Sequence, residues 1–172
     1  MRRVIPGLSG VFLVLSLIAL GPAAARAQEG QPLDLPCVSG TTVLPLTQAM
    51  PSDAPGDALI MLQLTIAPDS GFAPHKHPGV VTVSVVSGTL EFTHLDNGEM
   101  SVMRAATGST PAAAEAVTKG VPVTLNPGDW MVEEGMVHTM LNKGREPSIV
   151  LVSGLVPADQ PLVQCAEGTP TS

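Results

Sequence analysis

The strongest constraint on this chain is a period of two in its apolar residues, repeated in short runs between turn signals. Ile60, Leu62, Leu64 and Ile66 share one parity, with Gln63 and Thr65 on the other. Val81, Val83 and Val85 alternate with Thr82 and Ser84, and Leu90 and Phe92 with Glu91 and Thr93. Met100 and Val102 fit a returning strand, and Val121, Val123 and Leu125 restart the pattern. Trp130 and Val132 begin a further strand that reaches His138 after a break at Gly135, and residues 149–152 form a last apolar one. Side chains at i and i+2 of an extended chain point the same way, so each run predicts a strand with one buried face. Pro68-Asp69-Ser70-Gly71, Gly88, Asp96-Asn97-Gly98 and Asn126-Pro127-Gly128-Asp129 punctuate the runs as turns. Residues 105–119 lose the alternation and predict a surface loop, with a short helical turn at 112–117. About eight to ten short strands with almost no helical period predict an all-β sandwich or small barrel. No internal repeat, phosphate-binding glycine loop or Ser/His/Asp set is present.

The first 27 residues read as a signal peptide. Arg2 and Arg3 precede an apolar run at 11–20, and Ala25-Arg26-Ala27 fits a small-x-small cleavage site. The run is shorter than the roughly 20 residues of a spanning helix. The expectation is a secreted or periplasmic protein that begins at Gln28 and has no membrane attachment after cleavage. Residues 28–57 then form an N-terminal arm with one edge strand, 58–156 the β domain and 157–172 a polar tail. Three of the eight basic residues lie in the leader, leaving five against fifteen acidic, a net charge of −10. That balance argues against nucleic acid and anionic membranes as partners. Cys37 and Cys165 flank the β domain. In an oxidising compartment an intramolecular disulfide would staple arm to tail, with free thiols or an intermolecular bridge as the alternatives.

The chemistry concentrates in Pro74-His75-Lys76-His77-Pro78-Gly79 and, some sixty residues on, Gly135-Met136-Val137-His138. In an extended strand His75 and His77 aim at one side. His138 completes a set of three imidazoles if the chain folds back. Val81, Val83, Phe92 and Met140 share the inward parity and are expected to line the pocket. His94 shares that parity too, but its place at a hairpin end predicts exposure. Glu133 and Glu134 are expected to be solvated turn residues, either of them a possible source of a carboxylate. The remaining methionines read as core filler.

These residues resemble the cupin superfamily over roughly residues 59–156. Its first motif is a glycine, two histidines separated by one residue, an acid after three or four further residues, and a closing glycine. His75, His77 and Gly88 fill those places, while Val81 (or Thr82) stands where the acid belongs. In the second motif Gly135, His138 and Asn142 fall in place, and Glu133 replaces a proline. The opening glycines are displaced, with Asp69 and Pro127 in their positions. The resemblance implies a double-stranded β-helix, or jelly-roll, barrel with His75, His77 and His138 as metal ligands, like the three-histidine sites of cupin dioxygenases.

Three neutral imidazoles suit Fe, Zn, Mn, Cu or Ni with positions left open. They leave the ion's full charge to attract an anionic small molecule. Two functions follow as expectations: an oxygenase-type enzyme on a small anionic organic molecule, or a non-catalytic module that binds a metal or small ligand. Pairing through sheet edges into a homodimer is a further expectation from the family.

Overall fold

The structure, a computed structural model, describes residues 33, 35–97, 100–108, 110 and 112–167. The expected signal segment and Gly98 of the expected hairpin lie outside them.

Regular structure among the described residues is entirely extended. The strands are β1 (Val38–Ala49), β2 (Asp57–Lys76), β3 (Val80–Ser87), β4 (Leu90–His94), β5 (Ser101–Met103) and β6 (Ala114–Ala116). They continue with β7 (Val123–Leu125), β8 (Trp130–Glu134), β9 (His138–Asn142), β10 (Ser148–Pro157) and β11 (Gln164–Cys165). Every ladder is antiparallel, in the order β6-β5-β8-β3-β10-β2-β9-β4-β7, with β1 and β11 added against β2. The chain is thus all-β, as the period of two predicts, and a jelly-roll barrel, as the resemblance implies.

β2 is the hinge of this architecture. Its first half pairs with β10, from Asp57↔Pro157 to Ile66↔Ser148. Its second half leaves that sheet and pairs with β9, from Ser70↔Asn142 to His75↔His138. One strand therefore serves both walls, and the sheet curls around a core that includes Leu64, Phe72, Val83, Phe92, Met131 and Val150. The expected turn at residues 68–71 is instead a bend within a 20-residue strand. Asp69 (φ 54°) and Gly71 (φ 142°) supply the positive dihedrals. A Cβ on Gly71 would collide with the Met140 carbonyl, so glycine is required for β2 to approach β9. The turn signal was real; because both flanks find partners, it redirects the chain without reversing it.

Two other expectations change. Residues 114–116 pair with β5 and are not helical. Alanine-rich sequence there loses its weak helical preference to an open ladder edge. The tail does not run free: Val163 is buried, and β11 lies on Lys76 and His75. The Cys37–Cys165 disulfide closes a loop with a sequence separation of 128 and ties this tail to the start of β1. Among the described residues no helix is long and apolar enough to cross a membrane.

Candidate metal centre

The bend in β2 carries His75 directly opposite His138 on β9, and His138 lies in turn opposite His94 on β4. His77 follows the end of β2. A backbone carbonyl then orders each of the three rings. His75 Nδ1 lies 2.8 Å from the Ala73 oxygen, His77 Nδ1 2.7 Å from that of Leu162, and His138 Nδ1 2.9 Å from that of Met136. A carbonyl only accepts, so each Nδ1 carries the proton and each Nε2 keeps a free lone pair. This is the tautomer in which a histidine binds metal through Nε2 while its other nitrogen is held from behind.

The three rings offer ligand atoms that all lie within 4.8 Å of one another, and all three residues are buried. His75 Nε2 has no hydrogen-bond partner. Phe92 stacks on His138 with ring centroids 4.5 Å apart, and Phe72 packs against His75 at 5.1 Å. Burial holds all three imidazoles neutral. His75 falls to about 4, through burial first and the adjacent His77 second. His77 is lowered by burial, and His138 well lowered by burial and then by His75 and His77. Neutral, oriented and clustered nitrogens with an unsatisfied lone pair fit a divalent ion.

A cavity of about 20 Å³ adjoins His75 and His77, bounded by Phe72, Val83, Met140 and the tail residues Leu162 and Val163. That is room for about one water-sized molecule. Val83 and Met140 line it. Val81 is fully buried but faces Glu133, and Phe92 spends its ring on His138.

Sequence reasoning missed two buried polar groups. Glu133 is 1% exposed, not solvated. Its Oε1 lies 3.6 Å from His77 Nε2 and its Oε2 3.8 Å from His138 Nδ1. Neither oxygen has a hydrogen-bond partner. Burial raises its carboxyl to about 8; the Met136 amide, which makes no regular hydrogen bond to it, opposes this, and Asp96 adds to it. The signal was present in the alternation Trp130-Met131-Val132-Glu133-Glu134, in which Met131 and Glu133 face inward. The hydrophobic residues Trp130 and Val132 occupy the outer face.

His94 is also fully buried, not exposed. Its Nε2 lies 2.9 Å from Asp96 Oδ1, and Asp96 Oδ2 accepts the Val137 amide. That pair gives the hairpin end an internal anchor and so draws the ring inward. Asn142, the last residue of the second motif, is structural. Its amide donates to the Ile66 and Glu146 carbonyls, and its oxygen accepts the Gly144 amide.

No protein-family model and no curated protein sequence matches the chain. Solved structures are similar to it at low identity. The polyketide cyclase RemF from Streptomyces resistomycificus is 17% identical, over 82% of this chain and 84% of that one, with a TM-score of 0.46. Bacillus subtilis oxalate decarboxylase, described with Mn(II) centres, is 16% identical over 76% of this chain, with a TM-score of 0.47. The match takes in only 29% of the decarboxylase. The cupin domain of an XRE-family transcriptional regulator from Enterobacter cloacae is 18% identical over 69% of this chain and 97% of that one, with a TM-score of 0.44. At these identities the likeness is one of fold.

Proposed function

We propose that this cupin-type jelly-roll barrel holds a divalent metal ion on His75, His77 and His138 and binds a small anionic organic molecule beside it, with oxygenase-type turnover as its reaction class. One observation carries this reading. Three buried imidazoles have their Nδ1 protons fixed on backbone carbonyls and offer ligand atoms within 4.8 Å of one another. Arranging three desolvated rings this way costs stability unless something accepts their lone pairs. A bound ion would act as a Lewis acid toward an anionic substrate and, if redox-active, toward dioxygen chemistry.

The chain's own residues would do the rest. Ala73, Leu162 and Met136 hold the tautomers. Phe72, Val83 and Met140 exclude bulk water. The cavity's size favours a second reading: at about 20 Å³ it admits a water-sized ligand, which suits a non-catalytic metal-binding module.

Metal analysis of untagged protein tests both readings. Stoichiometric redox metal with oxygen uptake on a candidate enolate, thiolate or carboxylate supports the enzyme. Stoichiometric zinc without turnover supports the module. A metal-free protein that takes up none on addition would sink both. Export through the leader and pairing into a homodimer remain parts of this proposal; sizing of the secreted product tests both.

A further inference from the structure

The chamber beside His75 and His77, at about 20 Å³, holds a water-sized group and not the body of an organic molecule. A second cavity, of about 250 Å³, lies directly behind its wall. Leu62 and Leu162 border both, so these two side chains form the partition between them. Three stretches of chain meet at the outer cavity. β2 and β10 supply buried Ala58 and Val156, which are cross-strand partners, together with Leu62. β1 carries a bulge between Pro45 and Thr47, which bends the strand, and both residues line the cavity. The tail closes the third side with Gln160 and Leu162.

The floor of this cavity is aliphatic and its rim is polar without charge. Exposed Thr47, Gln48 and Gln160 offer hydroxyl and amide groups, and no lining residue is ionisable. A wet aliphatic hollow is filled favourably by an apolar body. Selection for charge lies across the partition, at the three imidazoles and the ion they would hold. We propose that the outer cavity takes the uncharged aliphatic body of an amphipathic monocarboxylate, whose anionic end passes Leu62 and Leu162 to the centre, with Leu162 as the gate. The inference rests on the three-imidazole reading and deepens it by naming the substrate class: one anionic end, an aliphatic chain, and no second charge.

The two ends of Leu162 can be tested apart. Its backbone carbonyl accepts the Nδ1 proton of His77, while its side chain stands between the cavities. Leu162→Ala therefore opens the partition and keeps the partner of His77. Thr47 is exposed on β1, and none of the three imidazoles borders the outer cavity. Thr47→Trp therefore fills that cavity without touching the centre.

The experiment titrates acetate, butanoate and hexanoate into the Co²⁺-loaded protein, read by its visible bands, and into the metal-free protein, read by calorimetry. Wild type, Thr47→Trp and Leu162→Ala are compared, and circular dichroism verifies folding. Wild-type affinity should rise about threefold for each added methylene. Thr47→Trp should lose at least about tenfold on hexanoate and nothing on acetate. Leu162→Ala should speed hexanoate association about tenfold in stopped flow. Hexanoate binding no tighter than acetate, or a length dependence that survives Thr47→Trp, would overturn the proposal. So would an unchanged association rate in Leu162→Ala. A length dependence that vanishes as protein concentration rises would assign the cavity to a second copy instead. A series that tightens on deletion of residues 28–32 would assign it to the chain's own N-terminal segment. A protein that takes up no Co²⁺ would remove the metal reading, and calorimetry on that protein still decides the cavity by the same length dependence.

Discussion

Leu162 accepts the Nδ1 proton of His77 at 2.7 Å across 85 residues of sequence. His77, a proposed ligand just beyond β2, is thus oriented by the tail, and the tail is fastened by Cys37–Cys165 and by the β11 pairing that begins two residues on. The disulfide therefore bears on the proposed metal centre as well as on the fold.

Reduction, or Cys37→Ser with Cys165→Ser, should loosen that carbonyl and weaken metal binding by about tenfold, the lower end of what loss of an orienting partner costs. Global stability should fall by about 2–5 kcal/mol. Metal titration and urea melts with and without reductant measure the two effects. Unchanged metal affinity in the reduced protein would mean that His77 is held without the tail.

His138→Ala should lower metal content from stoichiometric to background, a loss of at least about 100-fold in affinity. The barrel should remain folded, because backbone pairing with His75 and His94 sets this position of β9. Elemental analysis alongside circular dichroism tests this.

The metal-free protein should respond to pH in two opposite ways. Glu133 titrates near 8 in the fold against 4.5 ordinarily. Between those values the folded chain keeps a proton that the unfolded chain has lost, so stability falls as pH rises through that window. His75 falls to about 4 from 6.5, so its contribution is lost as pH falls from 6.5 to 4. Glu133→Gln removes only the first effect. At pH 7 and above the metal-free variant should be more stable than wild type by about 3 kcal/mol, and the difference should vanish toward pH 4. Urea melts in chelator across that range measure it.

Asn142→Ala should cost about 2–3 kcal/mol by stranding the buried Ile66 carbonyl and releasing the turn at Gly144 and Glu146. Metal stoichiometry should not change. Loss of metal without loss of stability would contradict its structural role.

Much of the fold was legible because its signal is local. The parity of Ile60, Leu62, Leu64 and Ile66, and of Val81, Val83 and Val85, expresses backbone sterics that any extended segment obeys. Glu133 was read as a solvated turn residue, because a buried carboxylate is improbable until its surroundings are known. His94 was misjudged for a related reason. Its burial depends on Asp96 folding back to meet it, a contact made by the shape of a turn.

The sequence by itself determined that this chain is a set of strands with one apolar face each, that His75 and His77 lie on one side, and that the cysteines flank the β domain. Tertiary structure decided which positions meet: His138 opposite His75, Glu133 opposite Val81, and the tail carbonyl behind His77. The reason is register. A strand's alternation is fixed within a few residues, but sliding one strand along another by two residues preserves every inward face while changing every partner. Only the sum of packing around the whole barrel selects among those slides.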